Sequence, residues 1–173
     1  MDNQEEVKIT QIPIGHRGYS SQSLLSVSTL IEHKDFVQDV VFVETRKGVQ
    51  TSQGFRYDKN TAKKMKINAI ELRSLAYAMK HLFKSKNPDV TNYKKQTKSS
   101  ILRLNYSPAY EDKGEVFYVN IHNSNASKDF IGVPFEGYDF LSFAESLLIM
   151  AKELEELFFK YQRKAKKDST PKD

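Results

Sequence analysis

"YDKNTAKKMKINAIEL", residues 57–72, changes its period halfway along. Through Lys64-Met65-Lys66-Ile67-Asn68 the two apolar residues point one way and the polar ones the other, which is the alternation of a strand. From Ala69 onward Ile70, Leu72, Leu75, Ala76, Met79, Leu82 and Phe83 recur at helical spacing. The stretch is therefore a short strand that feeds a helix. Its lysines belong on the open face of a sheet whose other face is covered.

The same junction returns in the second half of the chain. Ile131-Gly132-Val133-Pro134 reads as a short final strand, with Pro134 suited to its end. A long helix follows from about Gly137 to Tyr161, with Phe140, Ala144, Leu147, Ala151, Leu154, Phe158 and Tyr161 at steps of four and three and Leu141 and Leu148 beside them. Upstream of the first junction, "LLSVSTLI" (24–31) and "VVFVETR" (40–46) are β-branched strands, "GVQTSQG" is a turn, and "GFRYD" is a short third strand. Upstream of the second, "SSILRLNY" and "EVFYVNIH" are strands joined by "SPAYEDKG", with Pro108 and Gly114 as punctuation. A polar, Lys-rich linker (84–99) separates the halves. The expected fold class is α+β, a tandem repeat of an antiparallel four-stranded sheet plus helix, ββββα-ββββα. The expected boundaries are a flexible N-terminal arm at 1–22, one domain at 23–162 built from repeats 23–86 and 98–162, and a basic disordered tail at 163–173.

Length and composition bound the function. The 173 residues are 39% apolar and 12% aromatic, enough to bury a core of one ordinary domain. There is no cysteine, so neither disulfides nor thiolate metal sites hold the chain, and a reducing compartment is expected. "MDNQEEVK" is acidic and has neither the apolar run of a secretory signal nor the look of a transit peptide. No run of 18 apolar residues occurs, so no membrane span is expected. The expected location is intracellular, cytoplasmic or nucleoid-associated.

Charge is unevenly spread. From Phe55 to Arg103 there are thirteen Lys and Arg against Asp58, Glu71 and Asp89, a net of about +10. From Phe135 to Phe159 six acids face Lys152 alone. A polyanion would find the middle of the chain and avoid the outside of the second helix. In the second repeat Phe117, Val119 and Ile121 would face the helix, leaving Tyr118, Asn120 and His122 outward beside Arg103 and Asn105. An aromatic ring, amides and a guanidinium on an open sheet suit single-stranded nucleic acid, whose bases stack and whose phosphates meet cations. An ordinary solvated antiparallel sheet would have the same pattern.

The residues resemble a family. "YDKNTAKKMKINAIEL" followed by "ILRLNY", "VFYVNIHN" and "GVPFEGYDFLSFAESLL" is similar to the Whirly proteins, and more distantly to the positive-cofactor-four coactivators and Pur-alpha-like domains that share their topology. The resemblance covers residues 24–160. It rests on Tyr57-Asp58 ahead of Glu71, on Phe117-Tyr118-Val119-Asn120 with Asn123 at its end, and on the aliphatic-Pro step before the last helix. The resemblance implies a Whirly-like fold and a nonenzymatic single-stranded DNA-binding protein with little sequence preference, assembled as a homo-oligomer, with a tetramer favoured, through the helix stripe at Phe140, Leu147, Leu154 and Phe158. Where plant members carry Lys-Gly-Lys-Ala-Ala-Leu this chain reads "SSQSLLSV", Ser20 to Val27, without a lysine. Phosphate contacts are then expected from Arg56, Lys63, Lys64, Lys66 and Arg103, and base contacts from Tyr57, Asn105, Tyr118 and Asn120.

Other classes are weaker. Pro88-Asp89 with Glu111-Asp112-Lys113 mimics a metal-dependent nuclease signature, yet the latter group falls in a hairpin turn, away from the rigid elements a metal site needs. His16, His33, His81 and His122 lack metal-ligand spacing. No phosphate-binding Gly loop or nucleophile elbow occurs, and neither a cofactor nor a metal is expected. Single-stranded RNA in place of DNA stays open, as does an oligomeric protein-interaction module in which the acidic helix is the interface and the stripe could equally be intrachain core.

Overall fold

The computed structural model describes residues 9–18, 22–32, 36–87, 94–109, 114–125 and 129–168. The chain forms two antiparallel sheets, each followed by a helix. The first sheet is ordered β1 (Ile9–Arg17), β2 (Ser23–Glu32), β3 (Phe36–Thr51), and β5 (Lys63–Ile67) pairs with β3. The 16-residue β3 meets β5 through Val41–Thr45 and a short β4 (Gly54–Tyr57) through Gly48–Thr51. A 3-10 turn, Lys59–Thr61, links β4 to β5. α1 is Ala69–Ser85. The second sheet is β6 (Lys94–Gln96), β7 (Ser100–Ser107), β8 (Val116–Asn123) and β9 (Phe130–Glu136) in that order, and α2 is Gly137–Asp168.

The junction at 57–72 is a strand running into a helix. Met65 and Ile67 are buried while Lys64 and Lys66 are exposed. Asn68 then caps α1: its Oδ1 accepts from the Glu71 N–H at 2.8 Å, and the Glu71 carboxylate accepts from the Asn68 N–H at 3.0 Å. This reciprocal box satisfies two backbone donors that the first helical turn leaves without partners. Glu71 also pairs with Lys95 on β6, which ties the start of α1 to the second sheet. The helix ends on Lys86 at φ +48°, a left-handed position usually given to glycine.

Both helices cover the inner faces of both sheets, and a single apolar core results. Phe117 on β8 stacks on Phe140 of α2 at 4.7 Å between ring centroids, and Phe135 meets Phe140 edge-on. β1 reaches across to the second sheet: the His16 ring stacks on Phe135 at 3.6 Å, and its Nε2 lies 3.1 Å from the Pro134 carbonyl oxygen. At the end of β1 a side chain on Gly18 would meet Pro134 Cδ at 2.7 Å, so glycine is what permits this close approach of the sheets.

The tandem architecture agrees with the sequence reading, with four corrections of detail. The expected arm at 1–22 contains β1, an edge strand, the place in a sheet where a proline such as Pro13 is tolerated. "GFRYD" is a hairpin extension of β3, and the fourth full member of the first sheet is β1. The Lys-rich linker contains β6, paired with β7. The expected tail begins inside α2, which runs on to Asp168, while 1–8 and 169–173 lie outside the described residues.

Candidate nucleic-acid interface

Strand register lays out the open face of the second sheet. Asn105, Tyr118 and Pro134 form one row across β7, β8 and β9, and Lys94, Arg103, Asn120 and Gly132 form the next, with Lys94 on β6. Asn120 Nδ2 donates to Asn105 Oδ1 at 2.6 Å, so the two amides are locked together. Gly132 makes this possible: a Cβ there would collide with Asn120 Oδ1, and no residue with a side chain would let that amide lie across β9. Arg103 Nε is buried and has no hydrogen-bond partner among the described residues. Among the described residues such an unmatched cationic donor is an unusual feature, since buried donors are nearly always satisfied. His122, expected to face out in the same series, is buried. It lies between Ile101 and Phe130 in register, and its Nδ1 is 3.1 Å from the Asn123 carbonyl oxygen.

Beside this face the two sheets meet in an open groove of about 580 Å³. One wall is Tyr118, Phe130 and Pro134 from the second sheet; the opposite wall is Gln22, Ser23, Lys47 and Gly48 from the first. Phe130 is 53% exposed, a large cost for a phenyl ring with nothing over it. The groove thus sets an aromatic surface opposite a lysine and polar groups.

The other predicted residues are not among those that line the groove. Lys64 and Lys66 are exposed on the open face of the first sheet, where Lys64 Nζ sits 4.0 Å from the centre of the Phe42 ring. Arg56 and Tyr57 line a second hollow with Asp58, Lys59 and Asn60, and the Tyr57 hydroxyl is buried without a partner among the described residues. Lys63 is on the other side of β5 from Lys64, and its ammonium is bound to the Asp129 carboxylate. Lys63 holds the Asp129 carboxyl below the ordinary carboxylate range, and Lys47 adds to this at longer reach. The expected cations therefore split into four places, and Lys63 already has an anion.

Sequence reasoning missed Lys47, Gln22, Ser23 and Phe130. Phe130 alternates outward with Gly132 and Pro134 while Ile131, Val133 and Phe135 are buried, so its direction was readable from the strand. That Lys47 would face it was not, because the two walls come from different sheets.

The oligomerisation stripe is corrected. Phe140, Leu147 and Leu154 are buried in the chain's own core, and only Phe158 is partly exposed. Among the described residues, the large apolar side chains that the helices do expose are Ile70, Tyr77, Tyr138, Ile149, Leu157 and Phe159. Pro88-Asp89 and Glu111-Asp112-Lys113 lie outside the described residues. Among the described residues no group of three or more His, Asp or Glu is placed to hold a metal ion, and no helix is long and apolar enough to cross a membrane.

No family model and no curated protein matches this chain. Among solved structures it is similar to a crystal structure of WHY1 from Arabidopsis thaliana, at 15% identity and a TM-score of 0.46, covering 94% of this chain and 97% of that one. At that level of likeness no residue of one chain is matched to a residue of the other, and the fold rests on the strand order and register given above.

Proposed function

We propose that this chain is a nonenzymatic binder of single-stranded nucleic acid, with DNA as its substrate and little preference for sequence. The groove carries the reading: Tyr118 and Phe130 offer rings to successive bases, and Lys47 stands across from them to meet the backbone. Stacking on rings tolerates any base, and cations that meet phosphates carry no sequence information, so low specificity follows from the chemistry of the walls. Arg103, Asn105 and Asn120 extend the surface beyond the groove, and Lys64 and Lys66 give the first sheet a cationic face of its own. Arg56 and Tyr57 form a separate hollow and would touch only a strand long enough to leave the groove.

The test is fluorescence anisotropy with a labelled oligo-dT of about 30 nucleotides, at two salt concentrations, beside duplex and RNA competitors. Binding to the single strand should weaken steeply with salt, by about 0.7 in log-log slope for each phosphate neutralised. Tyr118→Ala and Phe130→Ala should each cost about 1–3 kcal/mol of affinity. A preference for duplex, or affinity that ignores both rings, would overturn the reading. Stronger competition by RNA than by DNA would keep the site and change its substrate.

A further inference from the structure

Lys63 is the one predicted phosphate contact that already holds an anion, and its surroundings say why. Its side chain is only 14% exposed, while that of its partner Asp129 is 54% exposed. An ammonium so far out of water is costly unless an anion stays beside it. The anion is the more replaceable of the two, being half in solvent at the start of β9. Asp129 also stands directly before Phe130, which lines the groove with Lys47. Lys63 and Lys47, both from the first sheet, thus act on one carboxylate, that of Asp129, which adjoins the aromatic wall of the groove through Phe130.

We propose that Lys63 and Lys47 form a phosphate subsite at the groove rim, and that the Asp129 carboxylate fills it in the free protein until a phosphate of the bound strand takes its place. This rests on the strand-binding reading above. A phosphate oxygen offers the Lys63 ammonium the same charge-assisted bond that Asp129 does, so Lys63 is never left without an anion during the exchange. The carboxylate also repels an arriving phosphate, so it lowers affinity and sets how sharply binding responds to salt. No covalent step is involved.

The experiment measures binding of a short oligo-dT, which a single groove can hold, by the full chain, its D129N, K63A and K63A/D129N variants, and E153Q. Glu153 is exposed on α2 and gives the same change in net charge away from the groove. D129N should bind about 3- to 10-fold more tightly at low salt, and the gain should shrink as salt is raised, because the repulsion it removes is screened. E153Q should change affinity less than 2-fold, on the order expected of a screened, distant charge. In the K63A background the gain from D129N should shrink to the size of the E153Q effect, because residues in one ion pair are coupled and distant ones are not. If the unsubstituted chain binds and D129N binds no better, or gains equally with and without Lys63, the subsite is overturned while strand binding stands. If neither the unsubstituted chain nor D129N binds at low salt, the strand-binding reading falls and the subsite with it; binding gained by D129N alone would keep both, with the subsite masked in the free protein.

Discussion

His16 shows how one side chain joins sequence, packing and pH. It sits on an edge strand of the first sheet, yet its ring is stacked on Phe135 and edge-on to Phe143, both belonging to the second half of the chain. Burial lowers its pKa from the ordinary 6.5, against smaller upward pulls from the Pro134 carbonyl and the Asp139 carboxylate. With the folded-state pKa below the unfolded one, the unfolded chain binds more protons once pH drops under about 6.5. The stabilising contribution is therefore whole above that pH and is lost as pH falls through the folded value. Glu71, Glu115 and Asp129, whose carboxyls are held low by lysine partners, lose theirs only below about 4.5. Thermal melts between pH 7.5 and 5.5 should accordingly show a falling Tm that His16→Phe flattens. The variant should start about 1 kcal/mol less stable at pH 7.5, having lost the bond to Pro134. Parallel pH profiles for the two proteins would remove His16 as the titrating group.

At the scale of elements, the start of α1 is the joint on which the first repeat turns. The Asn68–Glu71 box fixes where strand gives way to helix, and Glu71 reaches on to Lys95. Asn68→Ala should cost about 0.5–2 kcal/mol, read as a Tm lower by about 2–4 °C per kcal/mol for a chain of this length; Asn68→Ser should restore most of it. An unchanged Tm in Asn68→Ala would mean that packing alone sets the boundary. This joint was legible because two periods, of two and of 3.6, change over within a few residues. β1 was hidden by Pro13 and Gly15, which break its alternation, and a proline is at home there because the strand lies at an edge. β6 was hidden because Lys94–Gln96 has no apolar residue to show a period. The lysines of the candidate site could be counted in the sequence but not sorted. Lys63 and Lys64 are neighbours on opposite faces, and the partner of Lys63 is 66 residues away. The groove has its two walls on separate sheets, so no local pattern announces it.

For the whole molecule the question is what covers the helices from outside. Ion pairs Arg73–Glu155 and Lys80–Glu145 set α1 and α2 antiparallel. Tyr77 and Ile149 fall between these pairs in sequence, and Ile70 and Leu157 lie beyond the first. All four are exposed, Ile70 by 66% and Ile149 by 61%, although the core beneath them is already complete. Apolar groups gathered on one side of a helix pair are the usual mark of an interface. We propose that the helix pair is where copies of the chain meet, with a tetramer as the expected state. Light scattering at tens of micromolar protein should then find an oligomer, and Ile70→Glu with Ile149→Glu should break it while each leaves the monomer's stability within about 0.5 kcal/mol, as surface changes do. Leu147→Ala, in the stripe that proved to be core, should instead cost about 2–5 kcal/mol and act through folding. Several grooves on one assembly would hold a long strand at high effective concentration, so breaking the assembly should weaken binding of a long oligonucleotide by about 100-fold and leave that of a short one nearly unchanged. A monomer in the unsubstituted protein would leave the exposed helix residues without a role in assembly, and each groove would then have to bind its strand alone.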